Sequence, residues 1–162
     1  DYQHDHGSNL LRRSLYTFWK RAAPPPAMMN FDAAGREACV VRETRTNTPL
    51  QALNLMNDVT FLEAARVLAQ RALSEGGAAP SERIAYAFRL ATARRPRSSE
   101  TDLLLTSLRR YQDRYAADRA AALQFLSVGE YPRDEKLDPG ELAAYTAVAS
   151  LILNLDEVVT KQ

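Results

Sequence analysis

The chain has 162 residues, enough for one compact domain, and its 46% hydrophobic and 25% charged residues exclude wholesale disorder. Its 21 basic and 20 acidic residues give a net charge of +1, which argues against the clustered basic face that nucleic-acid binding requires. The single cysteine excludes an internal disulfide framework, a CxxC redox pair and a CxxCH haem attachment.

The first part of the chain is polar and then irregular. Residues 1–9 are expected to be a flexible lead-in, whose HDH tripeptide is solvated and binds no metal. Apolar residues at helical spacing predict a three-turn helix over residues 10–21, which a Pro triplet must end. An irregular connection is expected over residues 24–36. Residues 39–46 are rich in β-branched side chains and predict an extended strap, with Cys39 as a small buried hydrophobe.

The rest of the chain has the periodicity of amphipathic helices. Asp58 and Asp138 are placed to cap the helices that follow them, and Gly76-Gly77 and Pro96 are helix stops. The predicted helices cover residues 49–56, 59–75, 81–94, about 98–129 with a break near Asp118, and 139–154. The positions expected to face the core are Phe61, Ala65, Leu68, Ala72, Ile84, Ala87, Phe88, Ala91, Leu104, Leu108, Tyr111, Tyr115, Leu142, Tyr145, Ala149 and Ile152.

This pattern predicts an all-α protein, an irregular helical bundle of about five to six helices with an N-terminal extended strap. We expect three parts along the chain. The lead-in of residues 1–9 is followed by a helix and strap over residues 10–58 and by the helical bundle over residues 59–162. No apolar run approaches the roughly 20 residues of a membrane span, so no membrane-spanning helix is expected.

The usual catalytic and phosphate-binding motifs are absent, among them GxGxxG, the P-loop, HExxH and GxSxG. One group of polar side chains, between residues 36 and 54, stands out. Arg and amide side chains of this kind bind sugars or anions through paired hydrogen bonds. The competing interpretation is that these side chains satisfy the backbone of the irregular strap. The candidate ligand-binding residues are Arg36, Arg42, Arg45, Asn47, Gln51 and Asn54.

An aromatic and apolar group precedes the Pro triplet. Its members are expected to form either an interaction surface or the buried side of a helix with basic residues at its rim. The candidates for the interaction surface are Leu11, Leu15, Tyr16 and Trp19.

The block over residues 12–58 reads RRSLYTFWKRAAPPPAMMNFDAAGREACVVRETRTNTPLQALNLMND and resembles the domain-of-unknown-function family 1553. Later segments resemble the family too, namely FLEAARVLAQRAL, AFRLATARRPRSSE and ELAAYTAVASLILNLDE. The resemblance extends over about residues 8–162. Members of this family are C-terminal domains of large planctomycete-type proteins, which often carry a cytochrome-c-like haem domain and the family 1549 domain upstream.

The resemblance implies a secreted or periplasmic module of a multidomain protein, with the upstream domains of the parent chain as partners. We expect a structural or interaction role in a haem/redox or polysaccharide-processing assembly, with a polysaccharide, a sulfatase-like protein or a second copy of the chain as further partners. No cofactor is expected in this segment, although an upstream domain would carry haem c. The alternative is a saccharide- or sulfate-binding domain, or part of a hydrolase active site, built on the Arg and amide cluster of residues 36–58. Whether the chain is an enzyme stays open, because the family has no settled mechanism.

Overall fold

The fold is given by a computed structural model of the chain, which describes residues 5–11, 14–20, 22–35, 39, 41, 46 and 48–160. Across these residues there are eight α-helices and no strand, only an isolated antiparallel bridge between Lys20 and Ala23. The all-α prediction is therefore confirmed, and six of the helices have at least eight residues. The helices are α1 (Pro26–Asn30), α2 (Pro49–Asn57), α3 (Val59–Glu75), α4 (Pro80–Thr92), α5 (Ser98–Ala117), α6 (Arg119–Leu126), α7 (Pro139–Leu153) and α8 (Asp156–Val159).

The chain divides into two compact units, Asp1–Asn54 and Leu55–Gln162. In the first unit, the three-turn helix predicted over residues 10–21 is wrong for the part that the structure describes, which has two short 3-10 helices, Gly7–Leu11 and Ser14–Tyr16. The physical reason is that Leu15 and Phe18, on its predicted apolar face, are exposed. A short helix without packing is marginal in water.

The irregular connection predicted over residues 24–36 contains α1, which begins at Pro26. Proline suits a first helical position, because its missing N–H has no partner there and its φ is already helical. Most of the strap predicted over residues 39–46 lies outside the described residues. Cys39 is exposed, as is Val41, so the prediction of a buried cysteine is wrong: β-branched neighbours in the sequence do not bury a side chain unless the folded chain packs against it.

The second unit is built around α7. Its residues 142–149 are all buried, together with Ile152, so this helix has no solvent face along most of its length. It packs against α3, α5 and α6, with a smaller contact to α4. An Ala-rich helix without a charged residue after Glu141 suits a central position, because nothing on its surface requires water. The core residues predicted on α3, α4 and α5 belong to the core as buried or partly buried side chains, with the exception of Phe61, which is not part of it.

Helix ends in this unit follow the predicted capping chemistry. The Asp58 carboxylate accepts a hydrogen bond from the Thr60 N–H at 2.9 Å, and the Asp138 carboxylate accepts one from the Glu141 N–H at 3.0 Å. Asp118 ends α5 and caps α6, as its position near the expected break suggested. The bounds of α2, α4 and α7 lie within two residues of the prediction, whereas α6 stops at Leu126, before the expected residue 129, and α8 was not predicted.

Candidate functional site

In the first unit, Gln51 is the centre of a hydrogen-bond network and is only 4% exposed. Its Nε2 donates to the Asn30 carbonyl oxygen at 2.8 Å and to Thr46 Oγ1 at 3.2 Å. Its Oε1 accepts from the Thr48 N–H at 3.0 Å. The oxygen and the nitrogen of the Gln51 amide are therefore both bonded to protein groups. This is expected if the side chain satisfies the backbone of the strap.

Asp32 adds a second part to this network. Its backbone is left-handed, with φ +56°, which aspartate tolerates better than most residues. Its carboxylate accepts hydrogen bonds from the Thr46 N–H at 2.7 Å and from Thr46 Oγ1 at 2.9 Å. The Thr46 N–H, followed by the Thr46 hydroxyl, holds the pKa of Asp32 below its usual value. Asp32, Thr46 and Gln51 thus join the turn after α1 to the start of α2.

Of the six candidate ligand-binding residues, the structure places two. Gln51 and the half-buried Asn54 lie one turn apart on α2. The other four lie outside the described residues, so the ligand hypothesis for this cluster stays a prediction. Those four are Arg36, Arg42, Arg45 and Asn47.

The predicted interaction group contains some of the most exposed large apolar side chains among the described residues. Leu15 is 77% exposed and Tyr16 is 68% exposed, while Trp19 is half-buried. The side chain of Leu11 lies outside what the structure describes. The neighbouring Phe18, which the sequence analysis did not single out, is 78% exposed.

A second exposed apolar group lies on α2 and was also missed. Leu50, Leu53 and Met56 are 51%, 57% and 48% exposed. Residues three apart lie on neighbouring positions of a helix surface, so the three share one side of α2. The three-residue spacing of these apolar side chains could have predicted an apolar side of α2 from the sequence. The sequence-based prediction for this helix considered its polar residues instead.

In the second unit, a charged junction joins three helix ends. Arg94 follows α4, and its Nη2 lies 2.7 Å from Glu100 Oε1 on α5 and 2.7 Å from Glu157 Oε1 on α8. Its Cζ lies 4.8 Å from the centroid of the Phe88 ring. The guanidinium of Arg94, followed by the Arg97 N–H, lowers the pKa of Glu100 to about 2. All of these charges have partners within the protein, so the junction is a structural one.

A further charged cluster joins α3 to the loop that precedes α7. Arg66, only 4% exposed, donates from Nη1 to the Leu126 carbonyl oxygen and from Nη2 to the Tyr131 carbonyl oxygen. Glu63 accepts from the Tyr131 N–H at 2.8 Å, and Gln70 Oε1 accepts from the Asp134 N–H at 3.0 Å. Burial lowers the pKa of Arg66. Three side chains on one side of α3 therefore fix the loop.

An open groove of about 440 Å³ lies beside this cluster. It is lined by α3 on one side and by the loop on the other. The groove was not predicted, because its two walls come from parts of the chain that are far apart in sequence. The lining residues are Val67, Gln70, Arg71, Ser74, Tyr131, Pro132, Arg133 and Asp134.

The fold and these clusters define an all-α helical-bundle protein. The chain belongs to the family described as protein of unknown function (DUF1553), whose model matches residues 1–108 of the 162. No curated protein and no solved structure matched the chain significantly. Within the described residues, no helix combines the length and the apolar character that crossing a membrane would require.

Proposed function

We propose that this chain is an interaction module, a helical domain that docks against other parts of a larger secreted or periplasmic multidomain protein. The observation that carries the proposal is the exposure of Leu15, Tyr16 and Phe18, each more than two-thirds exposed within four residues. Single exposed apolar residues are normal, whereas a contiguous group of large ones is typical of a protein-interaction surface.

The exposed side of α2 supports the same role. Leu50, Leu53 and Met56 present branched or flexible apolar side chains that are each about half exposed, and such stripes are the usual contact surface of a helix laid against a partner. Aromatic and Met side chains are also enriched at protein interfaces. We infer that the partner is an upstream domain of the same parent chain, in a haem/redox or polysaccharide-processing assembly. The resemblance of the opening block supports that context.

Site-specific photo-crosslinking in the parent protein tests this proposal. A photo-reactive phenylalanine analogue at position 18 should give crosslinks to upstream segments of the parent chain. The matched control carries the same analogue at Leu103 on α5, which is 70% exposed and belongs to the second unit. Equal crosslinking from positions 18 and 103, or none from position 18, would reject an interface at this group.

A substitution separates the interface from stability. Phe18→Ser should leave the free energy of unfolding of the chain within about 0.5 kcal/mol, because the side chain is exposed. In a co-purification assay between this chain and the upstream part of the parent protein, the same substitution should reduce recovery. Leu103→Ser is the control that should change neither quantity.

A further inference from the structure

The junction of α3 with the loop before α7 brings two guanidinium groups together, those of the buried Arg66 and the half-buried Arg133. Arg66 and Arg133 are close enough for the charge of Arg133 to lower the pKa of Arg66 further, beyond the effect of burial. The nearest carboxylate is that of Glu63, whose Oε2 lies 3.9 Å from Arg66 Nη2. That same oxygen already accepts hydrogen bonds from the N–H groups of Glu130 and Tyr131.

Arg133 has no counter-charge within the part of the chain that the structure describes. Its Nη1 is buried and has no hydrogen-bond acceptor, and the same holds for Nε of Arg66. A buried guanidinium N–H without an acceptor is costly, and such groups in folded proteins usually indicate a bound water or ion. The location of Arg133 therefore requires an acceptor that the surrounding side chains do not supply.

The groove gives access to this position from solvent, since Arg133 is one of its lining residues. Gln70 lines it from α3, and because its Oε1 is occupied by the Asp134 N–H, its Nε2 is left as a donor. Arg71 lines it as well, although its guanidinium is also paired with Glu75 at 3.2 Å. The one carboxylate in the lining, Asp134, accepts from the Lys136 N–H at 3.0 Å. Donors thus come from both walls of the groove.

We propose that this groove binds a tetrahedral oxyanion, sulfate or phosphate, either as the free ion or as the monoester of a small molecule. The planar guanidinium of Arg133 supplies paired hydrogen bonds, for which arginine is better suited than lysine. A tetrahedral anion suits donors on two opposite walls, because its oxygens point in several directions whereas those of a carboxylate lie in one plane. The lining residues of the groove include none of the residues that carry the proposed interaction role, so the site goes beyond that role.

The test is a titration of the full chain with sodium sulfate and sodium phosphate at constant ionic strength, followed by calorimetry and by NMR of arginine N–H groups. The intact chain should bind saturably, and Arg133→Ala should weaken binding by about tenfold or more. The matched control is Arg109→Ala, which removes one positive charge from an exposed position on α5 and should leave the affinity unchanged. Sulfate also stabilises proteins by exclusion from their surfaces, so the difference between the two variants is the decisive measurement.

Equal affinity in the intact chain, Arg133→Ala and Arg109→Ala, or the absence of saturation in the intact chain, would overturn the proposal. If Arg133→Ala loses its helical circular dichroism, Arg133→Lys takes its place; it keeps the charge and should still bind several-fold more weakly than the intact chain. Methyl sulfate and methyl phosphate distinguish the two sources of the anion. Tighter binding of the ester than of the free ion assigns the site to a monoester, and the reverse order assigns it to the free ion.

Discussion

Arg94 and Glu157 are 63 residues apart in sequence and form an ion pair, with 2.7 Å between Nη2 and Oε1. The same guanidinium binds Glu100, so the end of α4, the start of α5 and the short α8 meet at one side chain. The N–H groups of the Arg94 guanidinium that face these helices all donate hydrogen bonds. This junction therefore fixes the ends of the helices. A change at Arg94 or its partners should therefore appear in stability.

The first prediction concerns the stability of the fold in acid. The pKa of Glu100 is about 2 in the folded state against 4.5 for a free side chain, so its contribution to stability is complete above about pH 4.5. That contribution is lost as the pH falls from 4.5 towards 2. Glu100→Gln should lower stability at neutral pH and flatten its dependence on pH in that window, as measured by urea unfolding at a series of pH values.

The control for this experiment is Glu135→Gln, because Glu135 is exposed in the loop before α7 and its substitution leaves the Arg94 junction intact. Other carboxylates, including Asp32 and Asp138, also titrate in acid. The difference between the stability curves of Glu100→Gln and Glu135→Gln is therefore the quantity that tests the role of Glu100. Parallel curves for the intact chain and Glu100→Gln between pH 4.5 and 2 would show that Glu100 does not carry the effect.

The second prediction concerns Gly129, at the start of the loop that carries Arg133. Its φ is +95°, which side chains rarely adopt, and a Cβ there would lie 2.8 Å from Glu63 Cβ. Gly129→Ala should reduce the free energy of unfolding by about 1–3 kcal/mol, measured by chemical denaturation. Gly35→Ala, where a Cβ meets open space, is the matched control and should be nearly neutral. A Gly129→Ala variant as stable as Gly35→Ala would contradict this account of the loop.

The third prediction concerns the cap of the central helix. Asp138→Ala removes the acceptor of the Glu141 N–H and should cost about 1 kcal/mol of stability, whereas Asp138→Asn keeps a side-chain oxygen and should cost less. Thermal and urea unfolding measure the difference. Asp113→Ala, at an exposed position within α5, is the control for the loss of one negative charge. Equal losses for Asp138→Ala and Asp138→Asn would mean that charge, not capping, is what Asp138 contributes.

The fourth prediction concerns α7 as the centre of the bundle. Leu142 is fully buried, so Leu142→Ala should cost about 2–5 kcal/mol through lost burial and the cavity left behind. Leu103→Ala makes the same chemical change on α5, where the side chain is 70% exposed, and should cost far less. Chemical denaturation of both variants measures the contrast. Similar losses of stability in Leu142→Ala and Leu103→Ala would contradict a central position of α7 in the core.

Much of the second unit could be predicted from local sequence. Asp58 and Asp138 cap the helices expected of them, and α3 has the bounds that its periodicity and Gly76-Gly77 predicted. These features depend on neighbours within a few residues, through hydrogen bonds to the first turn and through glycine at the helix end. The Arg94 junction could not be predicted, because Glu157 is a distant partner that only the folded chain brings near.

The first unit was less predictable for a physical reason. The residues around Leu15 and Phe18 have helical spacing, but spacing stabilises a helix only if its apolar face is covered. Among the candidate ligand residues, Gln51 suited both a ligand and the backbone of the strap, and the sequence favoured the backbone role without naming its partners. Its burial and its bonds to Asn30 and Thr48 are properties of the folded chain.

The sequence by itself determined the helical class, the positions of most long helices and the family, because periodicity, caps and the odd block of residues 12–58 are local properties of the chain. The tertiary structure alone decided which helix lies at the centre and which charges are neutralised. It buried α7 on all sides, paired Arg94 with Glu100 and Glu157, and left a guanidinium N–H of Arg133 without an acceptor. Those outcomes depend on distances between residues far apart in the chain, and no local pattern encodes such distances.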